Sequence, residues 1–446
     1  MKGVRGNLKI KDLTKKILVI LCYLTFLHGL YWVFLLFFGA NDLISGAIGM
    51  AVGQSTGFLI FIYIAATSLL LKLKGKEKNP RAYYAILITG LFIAGVFTLP
   101  LLLTPIAIYQ ADAEFAAAFG EDWREDIPDD VKQYFLKTPF NLPQYFLGIP
   151  HRDCKIETVK YYEGEGVTLY FDVYMPLEDD DDLPGKRSII IRIHGGGWML
   201  GDKGWEGMVV NKYLAAQGYI IFDIQYGLQQ NINVNEIIKF KYPGDIFTPK
   251  NVLGDFTVED QIRHIGIFTK KLENKYADKY DARLDNVYIM GDSAGGHLTS
   301  VFGLGYNSRH TDHADFWNET YSESLIIKGI VPIYPAVDSE YYFDDLAPDL
   351  LDGDPDTHPE LFEAYNPSNL VDTDDPPALI FQGTSDGLAP MDQSILLEDA
   401  FDKEDVKCCR LLFPLAGHAN DVLFSGNYGQ VWLFYLERFL FLTGLD

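Results

Sequence analysis

The chain has 446 residues, 48% hydrophobic and 22% charged, with a formal net charge of −24. That length accommodates a membrane segment and one large globular domain, and the charge divides accordingly: residues 1–109 hold 11 Lys+Arg against 3 Asp+Glu, which leaves −32 on residues 110–446. So acidic a region excludes a nucleic-acid binder, whose partner's phosphates require Lys and Arg, and it repels polyanionic substrates at long range.

Three stretches carry no Asp, Glu, Lys or Arg: Ile17 to Asn41, Leu43 to Leu71, and Ala82 to Ala111. Each exceeds the roughly 20 apolar residues that cross the hydrocarbon core as a helix, so residues 1–111 are expected to anchor the chain in a lipid bilayer through three spans. Lys2, Arg5, Lys9, Lys11, Lys15 and Lys16 precede the first span, and Lys72, Lys74, Lys76, Lys78 and Arg81 crowd the loop between the second and third. Lys and Arg stay on the cytoplasmic side. The N-terminus is therefore expected inside, and everything after Ala111 on the extracytoplasmic or lumenal side. A cleaved signal peptide is the competing reading of the first span, but its core is long and no small-residue cleavage site follows it. Pro100 and Pro105 are expected to kink the third helix. His28 and Gln54, polar within spans, are read as facing neighbouring helices.

Residues 112–154 alternate apolar and charged positions, as in Val131-Lys132-Gln133-Tyr134-Phe135, and predict short amphipathic helices serving as a lid or a linker. Residues 155–446 read as the catalytic domain. Strands are expected at Val167–Tyr174, Ser188–Ile193, Tyr219–Ile224, Asn286–Met290, Ile326–Ile333, Ala378–Gln382 and Arg410–Phe413. Helices are expected at Trp205–Gln217, Val258–Lys275, Gly295–Leu304, Asp392–Phe401 and Tyr428–Leu442. Such alternation marks an α/β fold with a mostly parallel sheet covered on both faces. The acidic run Glu178–Asp182 with Pro184-Gly185 reads as a solvated turn. Cys22, Cys154, Cys408 and Cys409 are too few and scattered for a disulfide framework or a zinc site. One bridge stays open.

Chemistry collects at the ends of those strands, where open α/β sheets place their sites. Gly291-Asp292-Ser293-Ala294-Gly295 fits G-x-S-x-G between a strand and a helix, where a strained turn exposes the hydroxyl and points a helix N-terminus at developing negative charge. His194-Gly195-Gly196-Gly197-Trp198 follows Ser188–Ile193. Consecutive glycines let backbone N–H groups converge on one point, as an oxyanion requires, so Gly195, Gly196, Gly197 and Ala294 are the candidate oxyanion hole. A phosphate loop is the alternative, but neither G-x-G-x-x-G nor a Walker lysine is present. His194 itself reads as structural.

Asp386 follows the strand ending at Gln382, and His418 follows the strand ending at Phe413. An acid that orients a histidine, and a histidine that takes the serine proton, complete the logic of a Ser293, Asp386, His418 triad. Asp338 and Asp421 are the competing acids. Both read as surface or turn residues: Asp421 is too close to His418 to come from a separate strand end, and Asp338 belongs to an earlier strand. His297, His310, His313 and His358 lie in helix or loop settings, and His310-x-x-His313 lacks further ligands. No metal and no cofactor is called for.

The stretch His194 to Lys203, reading H-G-G-G-W-M-L-G-D-K, resembles the hormone-sensitive-lipase-like branch of α/β-hydrolases and its bacterial esterase/lipase group, over roughly residues 155 to 442. The resemblance implies the α/β-hydrolase fold, oxyanion donors at Gly196, Gly197 and Ala294 with Gly195 shaping the turn, and a small-molecule ester as substrate. One departure is visible: Gln225-Tyr226-Gly227-Leu228 stands where the family often reads D-Y-R-L, and a long segment follows to about Asp255. An anchor on this branch also resembles arylacetamide-deacetylase-like enzymes, which typically carry one span.

The function expected is a membrane-anchored serine carboxylester hydrolase acting on neutral, fairly apolar esters. An amidase, peptidase or deacetylase would use the same triad. A non-catalytic binding protein on this scaffold is the reading from a different class, and a covalent serine probe separates it. The sequence sets no oligomeric state.

Overall fold

A computed structural model describes residues 2–445 except 41–42, 151, 178–181, 206, 231–247, 309–320 and 347. Most of the acidic run, residues 231–247 of the long segment after Leu228, and His310 and His313 thus lie outside the described residues.

Helices α1 (Lys2–Phe38), α2 (Leu43–Lys74) and α3 (Pro80–Phe119) open the chain. Within them Leu13–Phe38, Gly53–Lys74 and Pro80–Phe119 are long and apolar enough to cross a membrane. Asn79 caps α3 through its side chain, with Pro80 at the first helical position, where a missing N–H costs nothing. At 40 residues α3 is about 60 Å long, twice the ~30 Å hydrocarbon core, so its far half requires a protein partner. Ala107, Ala111 and Phe115 there are buried in one apolar cluster with the C-terminal helix. Both prolines lie inside α3, and the boundary expected at residue 111 falls within this continuous helix. The C=O of Pro100 accepts from the Asn427 amide at 3.1 Å, and the same amide reaches Thr104 Oγ1 at 2.9 Å.

Residues 120–149 are a packed layer. Trp123, Ile127, Val131, Phe135 and Ile149 are buried in that same cluster, and only the short helix α4 (Leu142–Leu147) and a turn at Asp129–Lys132 are helical in the part that follows α3. The amphipathic pattern therefore covers the protein's own core.

Among the described residues eight strands form the main sheet: β1 (Lys155–Gly164), β2 (Val167–Met175), β3 (Ser188–Ile193), β4 (Ile220–Ile224), β5 (Arg283–Asp292), β6 (Ile327–Ile333), β7 (Ala378–Gly383) and β8 (Cys408–Phe413). Their order is β1-β2-β4-β3-β5-β6-β7-β8. β1 and β2 pair antiparallel with each other, β2 pairs antiparallel with β4, and all later pairings are parallel. β1 lies outside the expected strands because its charged, largely exposed residues give an edge strand no apolar run. β3 is the opposite case: Ile189, Ile190, Ile191 and Ile193 are wholly buried, each stabilising the fold by about 1.5–3 kcal/mol.

The sheet is covered by α5 (Met208–Ala215), α6 (Val258–Lys271), α7 (Ala294–Ser308), α8 (Met391–Lys403) and α9 (Asn427–Thr443). A Thr257–Asp260 capping box starts α6. Every residue of α9 is buried, under the sheet on one side and under α3 and residues 120–149 on the other. Strand order, the single antiparallel insertion and this layering are those of the α/β-hydrolase fold. All four cysteines, Cys22, Cys154, Cys408 and Cys409, are free.

Candidate active site

Ser293 stands between β5 and α7 with φ +55°, a left-handed conformation that costs a non-glycine residue about 1–3 kcal/mol. Its neighbours explain how the turn closes. A Cβ on Gly295 would lie 2.3 Å from the Ile193 carbonyl oxygen, and one on Gly291 would lie 2.3 Å from the Gly295 carbonyl oxygen. No side chain fits at either position. The Ser293 N–H donates to the Ile333 carbonyl at 2.8 Å, and its own carbonyl accepts from His297 at 2.9 Å. Beside it, Asp292 accepts from Arg192 of β3, both side chains almost fully buried.

The glycine loop leaves β3 directly beside this turn, and a Cβ on Gly195 would be 3.4 Å from that of Ser293. Gly196, Gly197 and Trp198 all have positive φ, so the chain reverses at once. The loop is held from behind. His194 stacks on Tyr226 with centroids 4.4 Å apart, and the Tyr226 hydroxyl donates to the His194 carbonyl at 2.7 Å. Burial pushes the His194 pKa down, in keeping with a neutral, structural ring. Ala294, buried, opens α7. Gln225, at the family's departure point, accepts from the Tyr170 N–H at 2.9 Å and donates to Asp202 at 2.6 Å, joining β2 to the Gly201-Asp202-Lys203 stretch.

Asp386 and His418 arrive from the loops after β7 and β8. His418 Nε2 is 2.9 Å from Ser293 Oγ, and its Nδ1 is 2.8 Å from Asp386 Oδ2. The other carboxylate oxygen, Oδ1, accepts from the N–H groups of Leu388 and Ala389, each at 2.9 Å. Oδ2 thus accepts from Nδ1–H, which leaves Nε2 an acceptor aimed at the serine hydroxyl. Asp386 and His418 are each 7% exposed, so this chain of hydrogen bonds lies in a low-dielectric setting.

Of the competitors, His297 is buried one turn into α7, between Trp198 Nε1 at 3.3 Å and the Tyr365 carbonyl at 2.9 Å, and burial lowers its pKa to about 4. His358 is exposed and bonds Thr357. Asp338 receives the Tyr341 N–H within its own turn. Asp421 stands in a turn and is partly exposed, and it is not the partner of His418 Nδ1. The Tyr334 hydroxyl donates to Asp421 at 2.9 Å, the Tyr334 ring lies 4.5 Å from that of His418, and burial raises the Asp421 pKa to about 6.

One correction concerns Gln54. Its amide faces the His418 loop, donating to the Ala419 carbonyl and accepting from the Leu423 N–H, while it also donates to the Met50 carbonyl of α2 at 2.7 Å. Beside it, a narrow cavity is lined by Leu35 of α1, Gly39 and Ala40 just after it, Gly49 and Gly53 of α2, and Ser385, Gly387 and His418. No motif marks Gln54; only apolar context around a lone amide hinted at it.

Residues 271–401, which include Ser293 and Asp386, match a family model described as BD-FAE. The chain is similar to Esterase LipC of Mycobacterium tuberculosis (strain ATCC 25618 / H37Rv), 24% identical over 258 residues covering 56% of this chain and 57% of that one. It is also 24% identical to the Probable carboxylic ester hydrolase LipM of the same organism, over 78% of this chain and 76% of that one. The chain therefore spans little more than half of LipC. Among solved structures, esterase B of Lactobacillus rhamnosis has a TM-score of 0.48 at 22% identity, covering 70% of this chain and 89% of that one.

Proposed function

We propose that this protein is a membrane-anchored serine carboxylester hydrolase. The observation that carries the reading is the relay Ser293 Oγ, His418 Nε2, His418 Nδ1, Asp386 Oδ2, with links of 2.9 and 2.8 Å, set beside a reversed glycine loop. His418 takes the Ser293 proton as the serine attacks the ester carbonyl. The N–H groups of Gly196, Gly197 and Ala294 receive the oxyanion, while Gly195 shapes their turn. His418 then protonates the leaving alcohol, and water, activated by the same imidazole, releases the acid from the acyl-enzyme.

The ester names of LipC and LipM support the bond class. The acidic domain disfavours anionic substrates, so the substrate class is a neutral, fairly apolar ester. Helices α1 to α3 serve as spans: Leu24, Phe34 and Ile88 are among their exposed apolar side chains, an outward surface suited to lipid. The charge distribution puts the N-terminus in the cytoplasm and residues 112–446 outside. Protease cleavage of the acidic domain in intact cells checks that orientation; cleavage in lysed cells alone contradicts it.

The activity is tested by p-nitrophenyl ester turnover with detergent-purified wild type and Ser293→Ala. Turnover by wild type and its loss in the variant are expected. A wild type without turnover contradicts the proposal.

A further inference from the structure

The Ser293 side of the candidate site rests on the sheet, but the other two members of the relay rest on the membrane helices. His418 sits on a loop between β8 and α9 that passes outside the sheet. Immediately after it, Ala419 takes a left-handed φ of +57°, and its carbonyl needs a partner because the residue is only 2% exposed. That carbonyl and the Leu423 N–H, four residues apart, are both taken by Gln54. A primary amide holds an NH2 donor group and an acceptor oxygen in one plane, so glutamine clips the turn shut with a single side chain while its second N–H donates to the Met50 carbonyl of its own helix at 2.7 Å. Gln54 is itself held: the Tyr145 hydroxyl donates to its main-chain carbonyl at 3.1 Å and accepts the Gly57 N–H at 2.9 Å.

The surrounding contacts are close. A Cβ on Gly53 would lie 2.1 Å from Asn420 Oδ1, so α2 packs directly on the loop. On the acid side, a Cβ on Gly387 would lie 2.2 Å from the Ala40 carbonyl oxygen, and one on Gly39 would lie 2.6 Å from that of Ser385. The Ser385 N–H donates to the Ala416 carbonyl at 2.9 Å, so the acid and base loops are tied to each other as well.

We infer that Gln54 is a positioning residue for His418, which makes the first two membrane helices part of the catalytic machinery rather than a tether. The inference rests on the proposed hydrolase activity. By holding the Ala419–Leu423 turn, Gln54 keeps the imidazole within reach of both Ser293 and Asp386, and an unclipped turn lets Nε2 drift from the serine.

The test uses the full chain in detergent with p-nitrophenyl butyrate, comparing wild type, Gln54→Met, Gln54→Glu and, as a control facing away from the loop, the exposed Ile64→Ala. Gln54→Met keeps the shape but neither hydrogen bond, and kcat should fall by about tenfold to a hundredfold with KM and melting temperature near the wild-type values. Gln54→Glu keeps the acceptor for Leu423 and should recover part of the loss, while Ile64→Ala should match wild type. An active wild type with an equally active Gln54→Met overturns this inference alone, as does a loss of kcat that only follows a loss of melting temperature. An inactive wild type overturns instead the hydrolase reading beneath it. Should Gln54→Met fail to fold, Gln54→Glu decides: reduced kcat at normal melting temperature supports the role, and unchanged kcat removes it.

Discussion

The two halves of the Ser293–His418–Asp386 relay are held by different kinds of structure. Ser293 and the glycine loop are wedged between β3, β5 and β6, where Gly291 and Gly295 have no space for a Cβ and the Arg192–Asp292 pair is buried beside them. Asp386 and His418 sit on loops whose outer surfaces meet Ala40, just after α1, and Gly53 and Gln54 of α2. The serine half is thus as rigid as the sheet, whereas the acid–base half is as rigid as the seating of α1 and α2. Damage to the first should appear mainly as lost stability, and damage to the second mainly as lost turnover.

The largest effect is expected from Asp386→Asn, which keeps the packing but offers Nδ1 an N–H and favours the wrong imidazole tautomer. kcat for an ester substrate should fall by about 10⁴-fold with a melting temperature close to wild type. Asp292→Asn probes the opposite half: it leaves the Arg192 charge buried without its partner, which costs about 3–5 kcal/mol, read as a lowered midpoint in denaturant. A smaller pair of substitutions compares the halves directly. Gly295→Ala overpacks against the Ile193 carbonyl and should destabilise by about 1–3 kcal/mol. Gly387→Ala pushes on Ala40 and should lower kcat by about tenfold at a nearly unchanged midpoint. Equal stability losses in the two would dissolve the distinction.

The smallest effect concerns Glu437, far from the site. Burial raises its pKa from 4.5 to about 7, although the Gln217 amide and the Tyr213 hydroxyl donate to it at 2.9 and 3.2 Å. The folded chain therefore keeps a proton that the unfolded chain releases above about 4.5, so stability falls as pH rises through that window. Glu437→Gln should flatten the decline in melting temperature between pH 5 and pH 7 by about 2–4 °C.

The central strands were legible because runs such as Ile189-Ile190-Ile191 leave little alternative to a buried parallel strand. β1 was not, since its burial depends on β2 and not on its own residues. Ser293, Asp386 and His418 could be named from strand-end position, and the structure brings the three within hydrogen-bond distance. Asp421 could be set aside because it follows His418 by three residues, and it stands in a turn, bonded to Tyr334 instead of His418 Nδ1. Gln54 was misread because its partners lie 365 and 369 residues away, a separation across which no periodicity or spacing carries information.

The most direct test of the central claim is covalent. Wild-type protein treated with a fluorophosphonate should take up close to one label per chain, and mass spectrometry should find it on the peptide containing Ser293. Label on another residue, or none under conditions where the protein is folded, would contradict the assignment of Ser293 as nucleophile and with it the hydrolase reading.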